Sequence, residues 1–102
     1  SVMEIDEIKE ISIDSAGRLL IYPSTHSFPY IYREAMEVHW ESAVKALHSP
    51  VPREWSYPRW FQQISAAAKE QGCTLVLSES THWHNVPAEV KASIQAVAGS
   101  TA

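Results

Sequence analysis

The sequence contains little of what most catalytic and ligand-binding motifs require. It has one cysteine and three glycines. It has no apolar run near the roughly 20 residues that span a membrane, and no signal-like segment opens it. A single cysteine excludes an intrachain disulfide and favours a reducing cytoplasm. Gly-rich phosphate loops, Gly-x-Ser-x-Gly and His-Glu-x-x-His are all absent from it. These absences predict a cytoplasmic protein outside the common nucleotide-binding, hydrolase and metalloprotease classes.

Positive charge is also scarce. The chain has 8 Lys and Arg against 12 Asp and Glu, a formal charge of −4. Binding to nucleic acid or to an anionic membrane needs clustered cations, so we expect neither partner. Several acids lie within residues 4–14. We interpret them as a solvated edge, with an acidic docking surface for a basic partner as the alternative.

The apolar share is ordinary, at 45% of 102 residues. A chain of this size and composition buries enough surface for one small core. We therefore expect a single domain over residues 1–102, with residues 1–7 and 99–102 frayed.

The clearest pattern lies in residues 47–64, where three prolines lead into an amphipathic helix. Ser56 and Pro58 suit its first turn, and Gly72 suits its end. One face of this helix is apolar: Tyr57, Trp60, Phe61 and Ile64. A second helix begins near Pro87, and its stripe consists of Val86, Val90, Ile94 and Val97.

Five strands are predicted from alternating or short apolar runs. The first two, 8–14 and 18–22, form a hairpin. The third lies within 30–40, with Met36, Val38 and Trp40 on one side. The last two are 46–49 and 74–78, and 79–85 is a loop. The predicted fold is α+β: a mostly antiparallel five-stranded sheet with two helices on one face, in the order β-β-β-β-α-β-α.

Histidine pairs are the most metal-like feature. His82 and His84 point the same way if extended, and a turn near 43–44 pairs His39 with His48, close to Glu37. Zinc requires three or four ligands, so we predict no metal and no cofactor. Were this wrong, His82 and His84 would be the first ligands to consider. Cys73 follows a helix end that disfavours a thiolate, so we assign it to the core.

Aromatic residues are the best candidates for ligand or partner contacts, because Tyr and Trp are enriched at interface anchors. One group lies between the second and third strands, where core and binding roles are equally supported. Trp55 and Trp83 precede the two helices, where packing at the helix start is the other explanation. The candidates are Tyr22, His26, Phe28, Tyr30, Tyr32, Trp55 and Trp83.

Several short patterns together resemble the bacterial integron cassette proteins, the products of mobile gene cassettes. They are Ala35-x-x-Val38-x-Trp40, Leu47-x-Ser49-Pro50-x-Pro52-Arg53-Glu54-Trp55, Trp60-Phe61-x-x-Ile64, Gly72-Cys73-x-Leu75 and Thr81-x-Trp83-x-Asn85-Val86-Pro87. The resemblance covers most of residues 10–97. It implies a small cytoplasmic α+β domain that is oligomeric and has no established activity. It assigns no catalytic residue.

Two functions fit these observations. The first is a non-enzymatic binding module for a protein or small ligand that self-associates. The second is a small enzyme with a cleft near Trp55, Trp83, His82 and His84. Because the strand 19–22 is apolar on both sides, the face that the helices leave open needs a cover. We expect a homodimer or higher oligomer through the first hairpin and segment 22–32, unless loop 23–30 covers the sheet itself.

Overall fold

The structure, a computed structural model, describes residues 3–100. Within them, no helix is long and apolar enough to cross a membrane. The elements are β1 (Glu4–Ile13), β2 (Leu19–Pro23), a 3-10 turn (Ile31–Arg33), β3 (His39–Glu41), β4 (Ala46–His48), α1 (Tyr57–Glu70), β5 (Cys73–Val76), β6 (His82–His84) and α2 (Ala88–Ser100).

All six strands form one sheet around β1. The order is β3-β4-β2-β1-β5, and β6 also pairs with β1. The β1–β2, β2–β4 and β3–β4 pairs are antiparallel. On its other edge β1 pairs in parallel with β5 and then with β6. A register shift between Ile8 and Glu10 marks a bulge, which separates the part of β1 that meets β5 from the part that meets β6.

One row of cross-strand neighbours crosses the middle of the sheet. It runs Trp83, Ile11, Ile21, Leu47 and Trp40. The three aliphatic side chains are fully buried and belong to the same core cluster as Trp60, Phe61 and Ile64 of α1 and Ile94 of α2. Both helices therefore cover this face of the sheet. We call the opposite face the outer face.

The α+β class, the first hairpin and the helix pair are as the sequence predicts. Ser56 Oγ accepts a hydrogen bond from the backbone N–H of Arg59, so Ser56 caps α1. Gly72 follows α1 with a φ of 90° and donates to the Lys69 carbonyl. The predicted pairing of His39 with His48 is also present.

The third strand was predicted too early and too long. Residues 31–33 form a 3-10 turn, and β3 covers only His39–Glu41. Glu37 has a φ of 69°, which interrupts extended backbone before β3 can begin. Met36 is consequently 82% exposed, while Val38 is buried as expected.

Two further predictions were wrong. Residues 4–7 are not frayed, because they pair with Cys73–Val76. The loop 79–85 contains a sixth strand, β6, so the sheet is not five-stranded. In both cases the partner strand lies far away in sequence. At the C-terminal end α2 extends to Ser100, so residues 99 and 100, also predicted to be frayed, are helical. Residues 1–2 and 101–102 lie outside the described residues.

Candidate functional site

A short exposed segment follows β2, and we call it the 30–36 turn. Phe28 and Ile31, each 1% exposed, anchor it in the core, and Phe28 meets Trp40 edge-on at 5.9 Å between ring centroids. Between and after these anchors, three large side chains face solvent: Tyr30 at 51%, Tyr32 at 59% and Met36 at 82%. The chain therefore presents an aromatic and thioether surface on a firmly held turn.

The two tyrosines and Arg33 contact one another within this turn. The tyrosine rings lie edge-on with centroids 6.4 Å apart, and the Arg33 guanidinium lies 4.6 Å from the Tyr30 centroid. Such a cation–π contact contributes about 0.5–1 kcal/mol at an exposed site. Phe28, one of the sequence candidates, is thus a core anchor, while Tyr30 and Tyr32 are surface residues.

Beside this turn is a cavity of about 530 Å³, which we call the Trp55 cavity. Trp55 packs on Trp60 with ring centroids 4.8 Å apart, and the Arg59 guanidinium lies 4.3 Å from the Trp55 ring. Met36 lines the cavity as well, so it connects the cavity to the 30–36 turn. The polar side chains that line the cavity are Glu37, Arg53, Glu54 and Gln63.

Trp83 does not line the Trp55 cavity. It sits at the end of the core row opposite Ile11, and the Lys91 ammonium lies 5.5 Å from its ring. His82 and His84, on the same strand, point to the outer face and are exposed. The structure therefore does not bring together the four residues of the cleft that the enzyme hypothesis requires.

The outer face carries four of the five histidines. His48 Nδ1 donates to the Ser49 carbonyl at 2.9 Å, and its Nε2 lies 3.7 Å from a Glu41 oxygen. The rings of His39 and His48 are 5.3 Å apart, and those of His82 and His84 are 6.5 Å apart. Glu41 thus takes the position that the sequence suggested for Glu37. Across residues 3–100, no three His, Cys, Asp or Glu side chains converge as metal ligands would.

Leu20 and Tyr22 also lie on the outer face, because Leu20 pairs with His48 and side chains two apart on a strand share a face. Leu20 is only 8% exposed, and Tyr22 is half-buried. The apolar patch expected over the first hairpin is therefore small at Leu20 and Tyr22. The large apolar side chains that face solvent most are Ile5 of β1, 73% exposed, and Tyr30, Tyr32 and Met36 of the 30–36 turn.

Two titratable groups lie close together where β1 meets β5. Burial by itself would raise the pKa of Asp6, but hydrogen bonds from the His26 and Thr25 backbone N–H groups and the Thr25 hydroxyl lower it. The pKa of the Cys73 thiol is raised by burial and then by the charges of Asp6 and Glu4. Cys73 is therefore a protonated core residue. The remaining candidate, His26, places its imidazole 3.6 Å from Glu4.

A second cavity has no counterpart among the sequence predictions. It is a groove of about 670 Å³ beside β5, which we call the β5 groove. The walls come from α1, from β5 with the residues after it, and from the end of α2. Ser65 Oγ is buried and has no hydrogen-bond partner among the described residues, and Ser65 and Lys69 both line the groove. The groove depends on how the end of α2 packs against the rest of the protein, and local sequence patterns do not show such packing.

Comparison with known proteins identifies one family. The family model for integron cassette protein Hfx_Cass5 matches residues 6–81. A solved structure of integron cassette protein Hfx_Cass5, from the mobile metagenome of North West Arm Sewage Outfall, is 53% identical to this chain. The match covers 92% of this chain and 95% of that one, with a TM-score of 0.46. No curated protein matches. Since the family model spans most of its length, the chain belongs to the Hfx_Cass5 integron cassette protein family.

Proposed function

We propose that this integron cassette protein is a non-enzymatic interaction module that self-associates. Its contact surface is the 30–36 turn together with the adjoining Trp55 cavity. The observation that carries the proposal is the exposure of Tyr30, Tyr32 and Met36 on a turn whose other side is anchored in the core. The proposal covers dimers and higher oligomers alike.

The residue types of this surface support the proposal. Tyr, Trp, Arg and Met are the side chains enriched at protein interfaces, and hot spots favour Trp, Tyr and Arg. Tyr30, Arg33 and Met36 lie on the turn, and Trp55 and Arg53 lie at the cavity. A two-fold partner brings the same patch twice, so an exposed tyrosine of one copy can meet the cavity of the other.

The acid–base chemistry supports a binding role over an enzymatic one. The charged side chains lining the Trp55 cavity are Glu37, Arg53 and Glu54, and the described residues that line it include no Ser, Thr, Cys, Lys or His. Cys73 is buried and its pKa is raised, so its reactive thiolate is disfavoured. Among the residues that the structure describes, the cavity therefore has no hydroxyl or thiol nucleophile paired with a histidine base, the arrangement that activates Ser and Cys enzymes.

The proposed partners are a second copy of this chain and a further protein or small molecule. The net charge of −4 opposes binding to nucleic acid and to anionic membranes. A cytoplasmic location belongs to the same proposal, because a lone cysteine suits a reducing compartment.

Sedimentation velocity at micromolar concentration tests the proposal. The wild type is expected to sediment well above the 11.5 kDa of one chain, and the double variant Tyr30→Asp, Tyr32→Asp as a monomer. Val44→Asp is the matched control, because Val44 is a similarly exposed apolar residue on another turn. Circular dichroism verifies that each variant is folded.

A wild type that sediments as a clean monomer overturns the self-association. An oligomer that the double variant leaves intact overturns the contact surface. If instead Tyr22→Asp dissociates it, the interface lies on the outer face near the first hairpin.

A further inference from the structure

Strand β5 has a free edge. It ends the sheet order β3-β4-β2-β1-β5, and among the described residues its only strand partner is β1. The peptide groups on its outer edge therefore point away from the sheet. Exposed strand edges are templates on which another extended segment can pair.

The free edge lies in the β5 groove. Consecutive residues from Thr74 to Glu79 form one side of the groove, and α1 contributes Phe61, Ser65 and Lys69. The apolar lining consists of Leu75, Val76 and Leu77 from that stretch, Ala66 of α1 and Val97 of α2. Peptide recognition by strand addition uses this combination, in which main-chain hydrogen bonds to an edge provide affinity and flanking apolar pockets receive alternate side chains.

The charges of the groove lie at its two ends. Lys69 is in the last turn of α1, and only residues 70–72 separate it from β5, so the part of the helix that carries it lies near the start of the strand. Glu79 follows the strand and marks the other end. Neither side chain forms an ion pair with another residue of the described range.

Ser65 adds a second polar group at the lysine end. Residues four apart on a helix share a face, so Ser65 lies one turn before Lys69 on the wall of the groove. Its buried hydroxyl has no hydrogen-bond partner within residues 3–100, which is costly unless a ligand provides one. An ammonium and a hydroxyl one turn apart suit a carboxylate.

We propose that the β5 groove binds the C-terminal end of an extended, apolar peptide, which adds an antiparallel strand to β5. The terminal carboxylate meets Lys69 and Ser65, and a basic residue upstream meets Glu79. The direction follows from the charges, because a carboxylate at the start of β5 requires the peptide to run opposite to it. The negative end of the α1 dipole opposes an anion there, so binding depends strongly on Lys69. This site is separate from the proposed self-association surface.

Backbone-amide NMR titration of the full chain tests the proposal. The probe is a pool of acetylated hexapeptides with lysine first, valine, isoleucine, leucine or threonine elsewhere, and a free C-terminal carboxylate. The same pool with amidated C-termini is the comparison. We expect saturable shifts at residues 74–79, and roughly tenfold weaker binding of the amidated pool, equivalent to about 1.4 kcal/mol.

Variants identify the groups that bind. Lys69→Met is expected to weaken binding of the free-carboxylate pool about tenfold and Ser65→Ala to weaken it less. Lys91→Met is the matched control, because Lys91 lies against Trp83 outside the groove, and it should bind like the wild type.

Three results overturn the proposal. They are the absence of saturable binding, equal binding of the free and amidated pools, and shifts that map to the 30–36 turn or the outer face. Decanoate that binds the groove where the peptides fail identifies a small amphiphile as the occupant instead. A wild-type oligomer that Val76→Pro dissociates identifies a second copy of the chain.

Discussion

Asp6 Oδ2 accepts a 2.8 Å hydrogen bond from the backbone N–H of His26. Thr25 donates to the same carboxylate through its backbone N–H and its hydroxyl. Asp6 belongs to β1, whereas Thr25 and His26 follow β2. One buried carboxylate thus ties the segment that precedes the 30–36 turn to the central strand, and the proposed contact surface depends on it.

The substitution Asp6→Asn should destabilise the protein by about 2 kcal/mol at pH 7, because it removes charge-assisted hydrogen bonds from a buried site. Chemical denaturation measures the change. Glu7→Gln is the control, since Glu7 is exposed on the neighbouring position, and it should change stability by less than about 0.5 kcal/mol. Equal effects of the two substitutions would contradict this role for Asp6.

The same carboxylate makes stability fall in acid. In the folded state burial would raise the pKa of Asp6, but its hydrogen bonds lower it below the unfolded value. The pKa of Asp14 is lowered in the same way by Arg18. The unfolded chain therefore binds these protons first, and stability is lost as pH drops below about 4. In denaturation at decreasing pH, Asp6→Asn should lose less stability than the wild type, and an identical loss would exclude Asp6 as a cause.

Thr81 holds the bulge of β1 to the segment between β5 and β6. Its buried hydroxyl donates to the Ile8 carbonyl at 2.7 Å and accepts from the Ser78 N–H at 3.0 Å. Thr81→Val keeps the shape and removes both bonds, so we expect a loss of about 1–3 kcal/mol in denaturation. Ser80→Ala, at an exposed neighbouring position, should be nearly neutral. A neutral Thr81→Val would mean that water replaces both bonds.

Local patterns predicted the elements whose stability is local. Ser56, Pro58 and Gly72 delimit α1 by cap and turn chemistry, and the hairpin around Gly17 follows from alternation and a turn. The failures have a common cause. Glu4–Glu7 and His82–His84 are strands because β5 and β1 lie beside them, which no short window records. The β5 groove also depends on how the end of α2 packs beside α1 and β5, which local patterns do not show.

Two glycines should respond oppositely to alanine. Gly72 has a φ of +90°, and among the described residues the space that an alanine methyl group would occupy is open, so Gly72→Ala suffers only backbone strain, about 1–2 kcal/mol. Gly99 lies within α2, where alanine is the better helix former by up to about 1 kcal/mol. Thermal unfolding should show a lower melting temperature for the first variant and an equal or higher one for the second. The same sign for both would contradict the assigned backbone geometry.

Trp60 should be the most sensitive residue of α1. It is 8% exposed, its ring packs at a tilt on that of Trp55 with centroids 4.8 Å apart, and it belongs to the core cluster with Ile64 and Val38. Trp60→Ala leaves a large cavity beneath the helix and should cost about 3–5 kcal/mol in chemical denaturation. Gln62→Ala, on the exposed face of the same helix, should cost less than about 0.5 kcal/mol. If Trp60→Ala lost less than about 1 kcal/mol, the loss would be well below the cost of emptying a core position. That result would mean that α1 packs on the sheet through another face.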